Sequence, residues 1–310
     1  MPKVLLAALF SLLSFCALAQ EDTLSDAIKR ADELLAKVDA VNVVAWGDSM
    51  TMGYGARTPY PKVAASSLHV LVANMGFGGQ TSTAIASRAG ALPIMLAPKD
   101  GAILEVGSVE IVGRSIAGID GMGPLTKFGR QELEGELGGV PGALVRASDD
   151  TYSFRRSGRG DRVTCSPSCQ FVPTETYRTR TQWIWAGRNG TAPGRTIFED
   201  IAAIAALAPD GRFLVAGFTT SAEQSPKSIA ALLETNEKLR TIYGSKYVDV
   251  LAVLMAAGDG SPEDAKDIAK GIVPRSLRVD LVHLTNVGYS LVADAFVAAH
   301  VANGYCADTC

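Results

Sequence analysis

The sequence predicts an α/β protein: a parallel sheet covered by helices on both faces, interrupted by a β-rich insertion. Three observations predict it. At both ends of the chain, short apolar runs rich in β-branched and aromatic residues alternate with segments of helical periodicity, the pattern of parallel strands joined by helices. The middle, from about residue 101 to 179, instead carries many glycines and short alternating segments, which read as a small all-β unit. The chain of 310 residues is 47% apolar and 20% charged, a globular composition far from that of disordered chains. A formal net charge of −3, from 29 basic and 32 acidic residues, speaks against a nucleic-acid partner, which calls for a basic surplus to neutralise phosphates. The 31 glycines follow no period, so collagen-like and solenoid readings fall away.

Residues 1–19 read as an export signal rather than as fold. Lys3 supplies the positive start, residues 4–15 are apolar, and Ala17-Leu18-Ala19 is a small-x-small cleavage site. The apolar run is short for a bilayer span, which takes roughly 20 residues, so no stable membrane span is expected after cleavage. The mature protein is expected to be periplasmic or secreted. Residues 22–38 follow as a helix, with Leu24, Ile28, Ala31, Leu35 and Val38 on one face. Residues 41–45 form a buried strand that stops at Trp46-Gly47-Asp48-Ser49. A helix over 61–73 and a glycine-rich loop over 74–81 complete the first stretch.

The insertion is expected over 96–179, dividing one α/β domain into residues 20–95 and 180–310. Its candidate strands are 103–106, 108–112, 151–155 and 170–172. From Gln182 the alternation resumes: strand 183–186, helix 198–208, strand 213–218, helix 228–243, strand 247–250, helix 261–270 and a final helix 286–302. Of five cysteines, Cys16 lies in the export signal. The other four, Cys165-x-x-x-Cys169 and Cys306-x-x-x-Cys310, suggest two disulfides in an exported chain. Three connectivities are open, and the two local pairs are favoured. A four-thiolate zinc site fits less well, because its usual spacing is shorter and an oxidising compartment removes free thiolates.

Ser49 is the most informative single residue. It follows a strand directly, and ligands of open α/β sheets bind beyond the carboxyl ends of their strands. A serine hydroxyl needs a base within hydrogen-bond reach to act as a nucleophile. In isolation, Gly47-Asp48-Ser49 reads better as a helix cap. Only three histidines are available. His69 lies in a predicted helix, and His300 late in the last one, where a cation suits the helix C-terminus. His283 stands just before that helix with Asp280 three residues upstream, a spacing at which a carboxylate reaches one ring nitrogen while the other faces a hydroxyl. Donors for a developing oxyanion are offered by the glycine-rich Asn74-Met75-Gly76-Phe77-Gly78-Gly79-Gln80-Thr81, through main-chain N–H groups, and by Ala186-Gly187-Arg188-Asn189-Gly190 directly after a strand, through the Asn189 amide. There is no Gly-x-Ser-x-Gly elbow and no His-Glu-x-x-His cluster, so neither the α/β-hydrolase fold nor a metal site is indicated.

Taken together and in this order, Ser49, Gly79, Asn189 and Asp280-x-x-His283 resemble the four blocks of the SGNH (GDSL-type) hydrolase family. The resemblance covers residues 41–90 and 182–302. It implies a flavodoxin-like three-layer α/β/α fold, a serine nucleophile at Ser49 with Asp280 and His283 completing a triad, and an oxyanion hole from Ser49, Gly79 and Asn189. It implies no cofactor and no metal. Two departures stand out. The third block usually reads Gly-x-Asn-Asp, whereas Gly190 follows Asn189 here. The stretch between Gly79 and Asn189 exceeds the family norm by about 80 residues, far more than a connecting loop, and this excess is the β-rich segment.

The substrate reading is a carbohydrate O-acetylesterase acting on an acetylated polysaccharide or cell-wall glycan. Export, the β-rich insertion, and the aromatic residues Trp183, Trp185, Tyr152 and Phe154 as sugar-stacking candidates favour it, although residue by residue core packing is the better reading of those aromatics. A lipase, arylesterase or thioesterase is the second reading, and a glycan-binding protein on an inactive hydrolase fold the third. The run of arginines at 155–162 reads as a solvated loop.

Overall fold

The computed structural model describes residues 41–128, 132–174, 177 and 179–306. The expected export signal and the helix over 22–38 lie outside the described residues. Along the chain run β1 (Val41–Gly47), α1 (Ser49–Met52), α2 (Tyr60–Leu68), β2 (Leu71–Gly76) and α3 (Ser82–Arg88). Nine strands follow: β3 (Ile94–Pro98), β4 (Ala102–Ile103), β5 (Ser108–Ile116), β6 (Ile119–Asp120), β7 (Glu132–Leu137), β8 (Val140–Arg146), β9 (Tyr152–Arg156), β10 (Val163–Thr164) and β11 (Cys169–Pro173). The chain then alternates through β12 (Thr181–Trp185), α4 (Ile197–Ala205), β13 (Phe213–Ala216), α5 (Pro226–Tyr243), β14 (Tyr247–Val248), α6 (Val250–Met255), α7 (Pro262–Ala269) and α8 (Asn286–Ala302).

Two sheets carry this order. The first runs β2-β1-β12-β13-β14, with β1, β12, β13 and β14 parallel neighbours. Every side chain of β12 is buried, as expected of a strand covered on both faces. Alternate residues feed two separate cores. Val43, Ala45, Trp183 and Trp185 pack with Tyr60 of α2, Leu254 of α6 and Phe296 of α8. Val44, Trp46, Ile184 and Val215 pack with Ile85 of α3, Ile201 of α4 and Leu239 of α5. The strand period of two thus sends successive side chains to opposite faces.

The second sheet closes on itself. Its order is β3-β11-β7-β8-β9-β5, and β3 pairs again with β5. Every pairing in the ring is antiparallel, so the ring has no free edge. Ile94, Leu96, Leu137, Leu144, Phe154 and Phe171 fill its interior.

Several expectations are corrected. The helix over 61–73 ends at Leu68, because His69 turns left-handed (φ 54°) and residues 71–76 form a strand. Helix α1 is too short to show a period. Helix α3 is buried along its whole length and so lacks a polar stripe. The strand expected over 247–250 stops at Val248, because Asp249 caps helix α6 by accepting from the Ala252 N–H. Trp183, Trp185, Tyr152 and Phe154 are all buried and take no part in any surface for sugar. His300 is buried as well, and burial pushes its imidazole down to about 4. It is a neutral core residue, not a cation at a helix end.

Phe296 is fully buried and stacks on Trp183 and Tyr60, with ring centroids 4.8 and 4.9 Å apart. Phe296→Ala is expected to lower unfolding free energy by about 3–5 kcal/mol, measured by urea titration.

Candidate active site

The site forms where parallel strands release their chain. Gly47 of β1 lies opposite Trp185 of β12 in the parallel register, so Asp48-Ser49 and Gly187-Arg188-Asn189 emerge side by side. Counted within this sheet, the strand order is 2-1-3-4-5, and the order reverses between β1 and β12, where open α/β sheets hold ligands. Gly47 is required by close approach: a Cβ there would overlap Thr51 Oγ1 and the Trp185 carbonyl. Asp48 caps α1 by accepting from the Met50 N–H at 3.0 Å.

Two further loops complete the site. After β2, the chain turns through Phe77-Gly78-Gly79-Gln80, and Gly79 takes φ +72° against the Phe128 ring, a conformation that disfavours side chains. Before α8, Asp280 shapes its own loop: Oδ1 accepts from the N–H groups of Val282 and His283, both at 2.7 Å. Its Oδ2 lies 2.8 Å from His283 Nδ1, and His283 Nε2 lies 3.0 Å from Ser49 Oγ. Ser49, Gly79, Asn189, Asp280 and His283 all line one pocket of about 520 Å³, with Tyr54, Phe128 and Arg188 among its other walls. The structure therefore brings together all five residues singled out from sequence for the site. An imidazole between a hydroxyl and a carboxylate can take the hydroxyl proton as that oxygen attacks an electrophile.

The electrostatics suit that arrangement. Partial burial works to raise the Asp280 carboxyl, but hydrogen bonds from His283 and Val282 outweigh it and hold it at about 2. It is a carboxylate throughout the neutral range and can balance an imidazolium. Asp48 behaves oppositely. Complete burial, opposed by the Met50 N–H and the Arg188 charge, pushes it up to about 7. Its Oδ2 is buried without a hydrogen-bond partner, the environment of a carboxyl that keeps its proton.

Asn189 is carried by a buried knot. Asp200 accepts from Ser82 Oγ, Thr83 Oγ1, Thr191 Oγ1 and Arg195 Nε at 2.6–2.7 Å. The Gly190 carbonyl accepts from the Ser82 N–H at 2.9 Å. The support that a carboxylate beside Asn189 would supply thus comes from Asp200, on α4. One Asn189 amide N–H donates to the Gln80 carbonyl at 3.0 Å, leaving the other for a ligand.

Sequence reasoning missed Gln80, Arg88, Asp200, Tyr54 and Phe128. Gln80 follows Gly79 directly, the one signal available for it. The others carry no motif: Tyr54 and Phe128 are single aromatics that read equally as core, and Arg88 and Asp200 are charged residues of types usually found at surfaces. Cys165 and Cys169 form a disulfide. The expected pair Cys306–Cys310 reaches beyond the described residues, because Cys310 lies outside them. Among the described residues no group of His, Cys, Asp and Glu gathers to hold a metal ion, and no helix is long and apolar enough to cross a membrane.

No family model matches the chain, and no curated protein matches it in sequence. Among solved structures it is similar to a Desulfitobacterium hafniense protein described as lipolytic and of the G-D-S-L family. The two share 16% identity and a TM-score of 0.44, over 83% of this chain and 98% of that one.

Asp48 gives a pH test. Its folded-state pKa of about 7 lies above the unfolded value of ~3.9. Its contribution to stability is therefore full below ~3.9 and is lost as pH rises through about 7. Asp48→Asn is expected to narrow the difference in urea midpoint between pH 5 and pH 8, and an unchanged difference would count against the raised carboxyl.

Proposed function

We propose that the protein is a serine ester hydrolase of SGNH (GDSL) type, on a flavodoxin-like three-layer fold. The observation that carries the reading is the continuous hydrogen-bond chain Asp280–His283–Ser49, which joins residues 234 positions apart. His283 Nε2 takes the Ser49 proton as Oγ attacks the ester carbonyl, and Asp280 balances the imidazolium that forms. The tetrahedral oxyanion is met by the main-chain N–H groups of Ser49 and Gly79 and by the Asn189 amide. Collapse expels the alcohol, which takes its proton from His283. Water, activated by the same ring, then attacks the acyl-enzyme and releases the acid. None of these steps draws on a metal or an organic cofactor.

The substrate reading is an O-acetyl ester on an exported glycan. With Trp183, Trp185, Tyr152 and Phe154 in the cores, sugar stacking falls instead to Tyr54 and Phe128. These line the pocket and are 54% and 65% exposed. Rings presented in this way suit the apolar face of a pyranose. A second reading, a lipase or arylesterase preferring longer acyl chains, is favoured by the exposed Leu281 and Val287 near His283. The glycan-binding reading gains nothing from a hydroxyl already hydrogen-bonded to an imidazole. Export to the periplasm or beyond belongs to the same proposal and rests on residues 1–19 alone.

Ser49→Ala is expected to abolish both turnover and the acyl-enzyme burst on p-nitrophenyl acetate, and a full burst in that variant refutes the nucleophile. Asn189→Ala should lower kcat about 100- to 1,000-fold with little change in KM, measured on the same ester. Acetylated polysaccharide and p-nitrophenyl palmitate, compared by kcat/KM, separate the two substrate readings.

A further inference from the structure

We propose that Gln80, held by Arg88, is the positioning residue of the oxyanion site, and that through it the barrel and the parallel sheet fix that site jointly. The proposal rests on the roles given above to Ser49, Gly79 and Asn189.

Gln80 is fully buried, and both ends of its amide are engaged. Its Oε1 accepts from Arg88 Nε at 3.1 Å and Nη2 at 2.9 Å. Its Nε2 donates to the Pro124 carbonyl, in the barrel segment between β6 and β7. Its main-chain carbonyl accepts from the Asn189 amide at 3.0 Å. The same barrel segment holds the loop two residues earlier, since Thr126 Oγ1 donates to the Gly78 carbonyl.

Arg88 binds the other side. It is 2% exposed, and its Nη2 donates to the Met75 carbonyl at 2.7 Å and the Gly47 carbonyl at 3.4 Å. Its guanidinium lies 3.8 Å from the centre of the Phe77 ring and 5.2 Å from that of Trp46. Phe77 itself is buried in the barrel core. One buried cation therefore reaches the end of β1 two residues before Ser49, the end of β2, and the loop that bears Gly79.

The consequence is specific to the transition state. Gln80 acts on two of the three proposed donors: it is the next residue after Gly79, and its carbonyl orients Asn189. A displacement of about 1 Å at such a site can cost about 100-fold in rate. Substrate binding draws on other pocket walls, such as Tyr54 and Phe128, so the loss belongs in kcat.

The test compares Gln80→Ala, Gln80→Glu, Arg88→Met and Arg88→Lys with the wild-type chain. Three readouts are used: kcat and KM on p-nitrophenyl acetate, Ki for phenylboronic acid as a tetrahedral mimic, and amide hydrogen exchange over residues 77–80. Gln80→Ala is expected to lower kcat by about 10- to 100-fold, with KM within about threefold and boronate affinity falling in step with kcat. Exchange at 77–80 should quicken by about tenfold while the remainder of the sheet keeps its protection. Arg88→Lys should recover part of the kcat lost in Arg88→Met. Should Gln80→Ala fail to fold, Gln80→Glu carries the same readouts, because it keeps an acceptor for Arg88 while setting a carboxylate oxygen against the Pro124 carbonyl where a donor stood.

A folded Gln80 variant with wild-type kcat and boronate affinity overturns the proposal. So does exchange that quickens evenly across the molecule. If the wild-type chain hydrolyses no ester, the hydrolase reading is what fails; unchanged exchange at 77–80 in the variants then still refutes Gln80 as the residue that holds the loop.

Discussion

The parallel pairing of β1 with β12 is the constraint on which the site depends. The two strands are separated by more than 130 residues, yet Gly47 stands opposite Trp185. That register releases Asp48-Ser49 and Arg188-Asn189 at the same edge of the sheet. A slip of one residue would invert both faces of β1. Val43 and Val44 would exchange cores, and Ser49 would leave the pocket. Register is strongly specified here because both faces of both strands are buried. The energy that packs the helices therefore also aims the serine.

Around that fixed edge, polar burial does the fine placement. Arg88 and Asp200 are buried ionisable side chains behind the site loops; Arg88 donates through Nε and Nη2, and Asp200 accepts from four side chains. Burying a charge is costly unless it is fully hydrogen-bonded. Such a group tolerates only one arrangement of its neighbours, and that intolerance makes it a useful clamp. Asp200 ties the turn after Asn189 to the start of α3, and Arg88 ties the loop of Gly79 to β1. Asp48, by contrast, keeps one carboxyl oxygen unpartnered and lifts its own pKa to about 7. Burial thus leaves the carboxyl next in sequence to Ser49 less readily ionised than an ordinary aspartate.

The barrel is more than a long detour in the chain. Phe77 enters its core, Pro124 and Thr126 bond to the loop after β2, and Phe128 lies over Gly78 and Gly79. The glycines at 78 and 79 are explained by that contact, since side chains there would meet Phe128. The segment between strands β6 and β7 thus forms one wall of the pocket through Phe128.

Much of this was legible in order along the chain. The strand ending at Ser49, the glycine loop, Asn189 after a strand, and Asp280 three residues before His283 are local patterns, and local patterns survive in sequence because backbone periodicity and turn chemistry are short-range. What the sequence left undecided was every property that depends on which distant surfaces meet. Trp183 and Tyr152 look alike as stacking residues or core residues until burial is known. His300 has the sequence position of a helix-end cation, yet its surroundings keep it neutral. Beyond the place of Gln80 next to Gly79, Gln80 and Arg88 carry no pattern, because their significance comes from a barrel residue 44 positions after Gln80 and a strand end 41 positions before Arg88. Burial and long-range hydrogen bonding are products of chain closure, and only the folded chain decides them.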